Sequence, residues 1–136
     1  MASAMYGKGR EKFGNGAINW GADTIKAQLV DLGAYTPSLD VDEFLTDIPS
    51  GALIGTAQTL ASKTNVLGVL DAADVSVTGL SGAPTLEAIA IFKDTGTPST
   101  SPLIFLIDTA TGLPVAAGAT QVDIAWSNGS NKIAKI

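Results

Sequence analysis

Two stretches of this sequence are apolar on both faces of an extended chain, and they constrain the fold more than any other feature. In Leu86–Lys93, alternate residues fall on opposite faces and both faces are apolar. Leu103–Asp108 begins with five consecutive apolar residues. Such strands must be covered on both sides, either by a second layer of the same chain or by a neighbouring subunit. The polar segment Asp94–Pro102 between them predicts a solvent-facing loop, so the two strands are expected to form a central hairpin.

Shorter alternating stretches predict further strands along the chain. Thr24–Asp31 and Gln121–Ser127 alternate apolar and polar residues, which is typical of strands with one buried face. Asn128-Gly129 follows the second stretch and predicts a tight hairpin turn, after which Lys132–Ile136 would pair back as the last strand. Weaker predictions are strands over Thr56–Leu60, Asn65–Leu70 and Asp74–Leu80, and a short helix over Val41–Thr46.

Length and composition favour a single all-β domain. The chain has 136 residues, which can bury one modest core and leave no room for a second domain. Its 15 Gly and 6 Pro punctuate the apolar stretches, as in proteins built from short strands. About eight short strands within residues 20–136 predict a β-sandwich or jelly roll. Because only 15% of the residues are charged and 46% are apolar, we expect a homo-oligomer, with a trimer favoured.

The N-terminal residues 1–19 differ from the rest of the chain. The first sixteen residues contain four Gly, three basic residues and two aromatic residues. A segment of this composition cannot fold alone, so it predicts either a frayed terminus or an extended arm that lies on a partner chain. We favour the arm, with Tyr6, Lys8, Arg10, Lys12 and Phe13 as its partner-binding residues. Deletion of residues 1–16 would then leave the β-domain folded.

Composition also argues against several classes of function. The chain has no His and no Cys, which rules out a Ser-His-Asp triad, a Cys-His pair and a zinc site of the usual ligands. Its net charge of −5 has the wrong sign for neutralising phosphates, so no nucleic-acid partner is expected. Its apolar stretches are too short to span a bilayer, and it begins without the apolar region of a standard signal peptide. We therefore expect no membrane association, no catalytic activity and no cofactor.

Three short motifs have both a functional and a structural interpretation. Asp94-Thr-Gly matches the tripeptide of aspartic proteases, but its polar flanks predict a loop rather than a catalytic site. Carboxylates at Asp40 and Asp42 leave open a bound divalent ion, although the order of ligands in an EF-hand is absent. Trp20 and Trp126 could stack against sugars, but the register of Trp126 with apolar neighbours favours a place in the core.

Taken together, several segments resemble a family of small structural proteins encoded by tailed bacteriophages. The segments are Tyr6–Phe13, Asn15–Trp20, Asp23–Lys26, Asp42–Pro49, Lys93–Thr97, Ile107–Pro114 and Trp126–Gly129. They extend over nearly the whole chain, so the resemblance implies a place in a phage particle assembled in the host cytoplasm. Within the particle, we expect a capsid decoration (cement) protein that contacts the major capsid protein or other virion proteins. The alternatives are a tail or head–tail connector component and a receptor- or glycan-binding module.

Overall fold

The chain folds into short β-strands and one short helix. The computed structural model describes residues 4–130 and 132–136. Within these residues the strands are β1 (Ala4–Met5), β2 (Ile25–Val30), β3 (Leu53–Thr59), β4 (Thr64–Val66), β5 (Val69–Asp71), β6 (Val75–Val77), β7 (Ala88–Lys93), β8 (Leu103–Ile107), β9 (Val122–Ile124) and β10 (Ala134–Lys135). Helix α1 spans Gly7–Gly14, and single 3₁₀ turns lie at Leu45–Asp47, Ser50–Ala52 and Pro98–Thr100. The predicted all-β class is confirmed, whereas the sandwich or jelly roll stays a prediction. Among these residues, no helix has the length and apolarity needed to span a membrane.

A five-stranded antiparallel sheet, in the order β1-β8-β7-β2-β3, forms the centre of the fold. Strands β7 and β8 pair as the predicted hairpin, with Ile91 opposite Phe105. The loop that connects them is exposed over residues 95–100, as predicted, but its last two residues, Ser101 and Pro102, are buried. Two smaller antiparallel sheets, β10-β5-β4 and β6-β9, complete the described part of the domain.

Both faces of β7 are buried within the chain itself. Ile89 and Ile91 belong to one core, which also contains apolar side chains from both smaller sheets. Ala90 and Phe92 belong to a second core on the opposite face, which is covered by Tyr6 and by apolar residues between positions 32 and 53. Since one chain covers both faces, the doubly apolar strands give no argument for a trimer. The trimer stays a prediction without this support.

Strand β2 is also buried on both faces, which corrects the prediction of one buried face. This burial leaves the amide side chain of Gln28 only 6% exposed. The register between β2 and β3 shifts at this position, and the Gln28 amide donates hydrogen bonds to the carbonyl oxygens of Ile54 at 2.8 Å and Gly55 at 3.2 Å. Gln28 thus satisfies backbone groups that the β-bulge removes from the regular ladder.

The predicted C-terminal hairpin is wrong. Strand β9 pairs with β6, whereas β10 pairs with β5, so the two strands lie in different sheets. A tight two-residue hairpin requires positive φ at its central residues, and Gly129 does not adopt one. Its N–H instead donates a hydrogen bond to the hydroxyl of Ser127 at 3.0 Å. The chain therefore turns away from β9 here; Asn131 lies outside the described residues.

Residues 41–70 show two smaller differences from the prediction. In place of a helix over Val41–Thr46, the chain forms the 3₁₀ turn at Leu45–Asp47. The Asp47 carboxylate accepts hydrogen bonds from two preceding backbone N–H groups, at 2.7 and 2.9 Å, and so favours this tight turn over a longer helix. The predicted single strand Asn65–Leu70 is instead the β4–β5 hairpin.

The N-terminal segment is not an extended arm. Strand β1 pairs with β8 of the same chain, with Ala4 opposite Leu106, and α1 follows directly. The helix lies so close to β8 that a Cβ atom on Gly9 would come within 2.6 Å of the carbonyl oxygen of Leu103. Glycine thus permits close packing here rather than preventing folding. Removal of residues 1–16 is therefore expected to destabilise the domain; residues 1–3 of the predicted arm lie outside the described residues.

We predict opposite effects from alanine at two glycines of α1. Gly9→Ala should lower the free energy of unfolding by about 1–3 kcal/mol, because the added methyl group overlaps the backbone of β8. Gly14→Ala should leave stability unchanged or raise it by up to about 1 kcal/mol, because no atom lies within 4 Å of its Cβ position and alanine favours helix. Denaturant unfolding followed by circular dichroism measures both. Equal stability of the two variants would contradict the close packing of α1 on β8.

Candidate interaction surface

The five residues predicted to bind a partner are divided between the interior and the surface. Tyr6 is 0% exposed and cannot anchor a partner while the domain is folded, so this part of the prediction is wrong. Phe13 packs against the chain's own core. Lys8 and Lys12 form ion pairs within the chain. Arg10 is exposed and forms no ion pair with the described residues, so it alone keeps a side chain fully available to a partner.

A buried chain of hydrogen bonds holds Tyr6 in place. The Tyr35 hydroxyl donates to the Asp42 carboxylate at 2.6 Å, and the hydroxyl oxygens of Tyr6 and Tyr35 are 2.9 Å apart. Because the Tyr35 proton points to Asp42, the Tyr6 hydroxyl must donate to Tyr35. Burial raises the pKa of Tyr6 to about 12. Burial, together with the hydrogen bond to Asp42, also raises the pKa of Tyr35, so both hydroxyls stay protonated and can donate.

Lys12 joins α1 to the segment that follows Asp40. Its Nζ atom is 2.5 Å from a Glu43 carboxylate oxygen and 5.2 Å from the centre of the Phe44 ring. The side chains of Lys12 and Glu43 are 22% and 35% exposed, whereas those of the Lys8–Glu11 pair are 42% and 61% exposed. Solvent screening weakens exposed pairs, so the Lys12 pair is the stronger of the two. Lys12 therefore stabilises the position of the helix rather than serving a partner.

An apolar cleft of about 740 Å³ opens beside Arg10, between the N-terminal strand and the C-terminal strand. Its lining is apolar apart from three charged side chains, and comprises Ala4, Met5, Arg10, Leu39, Asp40, Phe105, Ile107, Ile133, Ala134, Lys135 and Ile136. Arg10, Asp40 and Lys135 form no side-chain hydrogen bond or ion pair with the described residues. We call this feature the terminal cleft. Apolar walls with unpaired charges at the rim are typical of protein-binding surfaces.

The structure gives no support to a divalent ion at Asp40 and Asp42. Among the described residues there is no group of three or more carboxylates placed to hold a metal ion. The Asp42 carboxylate accepts hydrogen bonds from the Tyr35 hydroxyl and from the backbone N–H of Ser38 at 2.9 Å. Asp42 therefore organises the turn of this segment.

Asp94 of the protease-like tripeptide lies in an ion pair. Its carboxylate is 2.8 Å from Nζ of Lys26 and accepts a hydrogen bond from the backbone N–H of Gly96 at 2.9 Å. The Lys26 interaction, supported by the Gly96 N–H, lowers the pKa of Asp94. An aspartic protease needs two carboxylates that share a proton, whereas this environment favours the fully ionised form.

The two tryptophans lie in the core. Trp20 and Trp126 are each 3% exposed, and the indole N–H of Trp126 donates to the carbonyl oxygen of Ala73 at 3.0 Å. Trp20 also packs edge-on against Phe105, with ring centres 6.4 Å apart. Neither ring is available to stack against a sugar, so the predicted core position is confirmed for Trp126 and holds for Trp20 as well.

An exposed apolar group at the end of the β4–β5 hairpin was not predicted from the sequence. Val66 pairs with Val69, and the two residues between them, Leu67 and Gly68, have φ values of 52° and 81°. Leu67 is 92% exposed, Val66 is 65% exposed and the neighbouring Ile136 is 50% exposed. We call these three residues the apolar tip. The sequence does contain a signal for this turn: Leu67-Gly68 lies between two valines, and a residue followed by Gly between two short apolar strands favours a two-residue hairpin.

Comparisons with known proteins leave the resemblance to phage proteins without independent support. No family model matches the chain, and no curated protein matches it. A place in a virion is therefore a proposal.

We predict that the two buried tyrosines contribute unequally to stability. Tyr35→Phe should cost about 1–3 kcal/mol, because it leaves the buried Tyr6 hydroxyl without an acceptor and removes a donor from Asp42. Tyr6→Phe removes only one donor to Tyr35 and should cost about 1 kcal/mol. The double variant should be no less stable than Tyr35→Phe, which denaturant unfolding of all three can measure. Strictly additive losses would show that the hydroxyls do not form one chain of hydrogen bonds.

Stability should also fall at high pH through Tyr6. Its pKa is 10.0 in an exposed tyrosine and about 12 in the folded chain, so folding favours the protonated form. This contribution is fully present below pH 10 and is lost as pH rises from about 10 to about 12, by up to about 2–3 kcal/mol. The free energy of unfolding, measured across this pH range, should therefore fall more steeply for the wild type than for Tyr6→Phe. Parallel curves would contradict the burial of the Tyr6 hydroxyl.

Proposed function

We propose that the chain is a structural component of a tailed-phage virion and, within the virion, a capsid decoration (cement) protein. The sequence resemblance to small phage structural proteins supports the virion. A single small β-domain, proposed to be a sandwich or jelly roll, suits a protein bound outside a shell in many copies. The particle would be assembled in the host cytoplasm, and the major capsid protein or another virion protein would be the partner.

The observation that carries this proposal is the terminal cleft. It combines apolar walls with the unpaired side chains of Arg10 and Asp40, a combination suited to a protein partner. One wall rests on the central sheet through β1 and β8, the other is formed by β10 of a smaller sheet, and α1 holds Arg10 at the rim. A rigid surface loses little conformational entropy on binding, so modest contacts can be used efficiently.

The mechanism we propose is mechanical reinforcement. Each copy would make a weak contact with the shell, and the symmetry of the particle would repeat that contact many times. Bound copies that also contact each other raise one another's effective concentration, so the whole layer resists forces that a single contact could not. Neither a cofactor nor catalysis has a part in this mechanism, and the ion pair of Asp94 with Lys26 accords with a structural role for that residue.

The sequence also suggested two alternatives to a decoration protein, which differ from it in copy number or in what they bind. A tail or head–tail connector component would use the same cleft at a much lower copy number. A receptor- or glycan-binding module would have to bind without Trp20 and Trp126, since both rings are buried. No feature of the described residues favours either alternative over the decoration protein.

We predict that the protein is present in purified particles at a copy number similar to that of the major capsid protein. Arg10→Ala should lower its occupancy several-fold, because the change removes an unpaired charge at the rim of the cleft and costs the folded domain little. Lys8→Ala is the matched control on the same helix, since Lys8 is already paired with Glu11. Gel densitometry of particles grown with each variant measures occupancy.

Three results would count against the proposal. A copy number far below that of the major capsid protein would favour the tail or connector. Absence from the particle would overturn the virion role. Equal occupancy of Arg10→Ala and wild-type protein would remove the terminal cleft from the shell contact.

A further inference from the structure

The apolar tip is an unusual structure for a free surface. Two-residue hairpins of this type prefer Asn, Asp or Gly at the first turn position, where φ is positive. Here that position holds Leu67, at φ 52° and 92% exposed. A leucine is disfavoured both by this backbone conformation and by exposure to water. This side chain strains the turn and gains no burial in the isolated domain, which is better explained by a contact outside the domain.

The tip is also rigidly supported. The Asn65 side chain accepts a hydrogen bond from the Gly68 N–H at 3.1 Å, which stabilises the turn. The Ile136 N–H donates to the Gly68 carbonyl oxygen at 2.9 Å, so the C-terminal residue braces the hairpin. A projecting apolar side chain on a braced turn is suited to insertion into a partner's pocket.

The same molecule offers a matching pocket. The terminal cleft is apolar, and Ile136 belongs both to its lining and to the apolar tip, so the tip and the cleft are neighbours on one surface. A projection next to a pocket is self-complementary, because two copies related by a two-fold axis can exchange projections. Charge also permits this pairing: Asp40 and Lys135 both line the cleft, have opposite charges and form no ion pair with each other or with another described residue, so each is free to pair with its counterpart on a second copy.

We propose that the apolar tip of one copy inserts Leu67 into the terminal cleft of a second copy, in a reciprocal contact that brings Lys135 of each copy to Asp40 of the other. This inference deepens the self-association that is part of the proposed function and rests on it. In such a pair the tip fills the apolar part of the cleft and Lys135 pairs with Asp40, so the shell contact of the proposed function would rest on the exposed side chain of Arg10.

Single cysteines test the contact directly, because the chain has none of its own. Protein with Leu67→Cys is mixed with a longer, tagged protein that carries Ala4→Cys in the cleft wall, and the mixture is oxidised gently. We expect a mixed disulfide dimer to form at least tenfold faster than with Ser99→Cys in place of Leu67→Cys, because Ser99 lies on the exposed β7–β8 loop. Rapid dimers of Leu67→Cys with itself would instead mean that two tips meet, and would overturn the proposal, as would rates equal to the control.

A second measurement uses a change that the turn should tolerate. Leu67→Asn removes the apolar side chain but introduces a residue that favours positive φ, so the domain should remain folded. We expect its self-association, measured by analytical ultracentrifugation, to weaken about tenfold or more, whereas Leu67→Met should retain it. Unchanged association of Leu67→Asn would overturn the contact. If the contact fails while the protein still occupies particles at high copy number, the proposed function stands without it.

Discussion

The fold depends on covering the β7–β8 pair on both sides. A strand pair that is apolar on both faces cannot be stable at a surface, so a chain of this length must supply two covers for it. Apolar residues of the smaller sheets form one cover. The N-terminal segment and residues 32–53 form the other. This requirement explains why Tyr6 is buried, why α1 lies flat on β8 through Gly9, and why the acidic turns after Leu39 are fixed by their own hydrogen bonds.

With both faces of the strand pair covered, the polar groups of the interior form hydrogen bonds with one another. The Gln28 amide donates to a backbone carbonyl oxygen at the bulge in β3. Tyr6, Tyr35 and Asp42 form a single chain of hydrogen bonds. No buried side-chain nitrogen or oxygen atom in the described residues lacks a partner. The features that the fold itself does not explain lie on the outside, at the terminal cleft and the apolar tip. Their concentration on one surface is the reason that both proposals use this surface.

The sequence correctly predicted those elements that depend only on the pattern of their own side chains. The doubly apolar stretches gave the central hairpin, because burial on both faces admits few other structures. The N-terminal segment failed for the opposite reason: its glycines look like a flexible arm until β8 is present, and only then does the missing Cβ of Gly9 become a means of close packing. The hairpin predicted at Asn128-Gly129 did not form because the local preference for a turn is outweighed by the pairing of β9 with β6 and of β10 with β5. The cleft could not be predicted at all, since β1, β8 and β10 meet there only in three dimensions.

The pairing of β1 with β8 has a consequence for synthesis of the chain. Ala4 of β1 is synthesised long before Leu106 of β8, with which it pairs. Until β8 is synthesised, β1 and Tyr6 have no strand to pair with, and non-local pairing of this kind is slow. The N-terminal segment must therefore remain unpaired until β8 is available, and this interval is when chaperones or aggregation compete for the nascent chain.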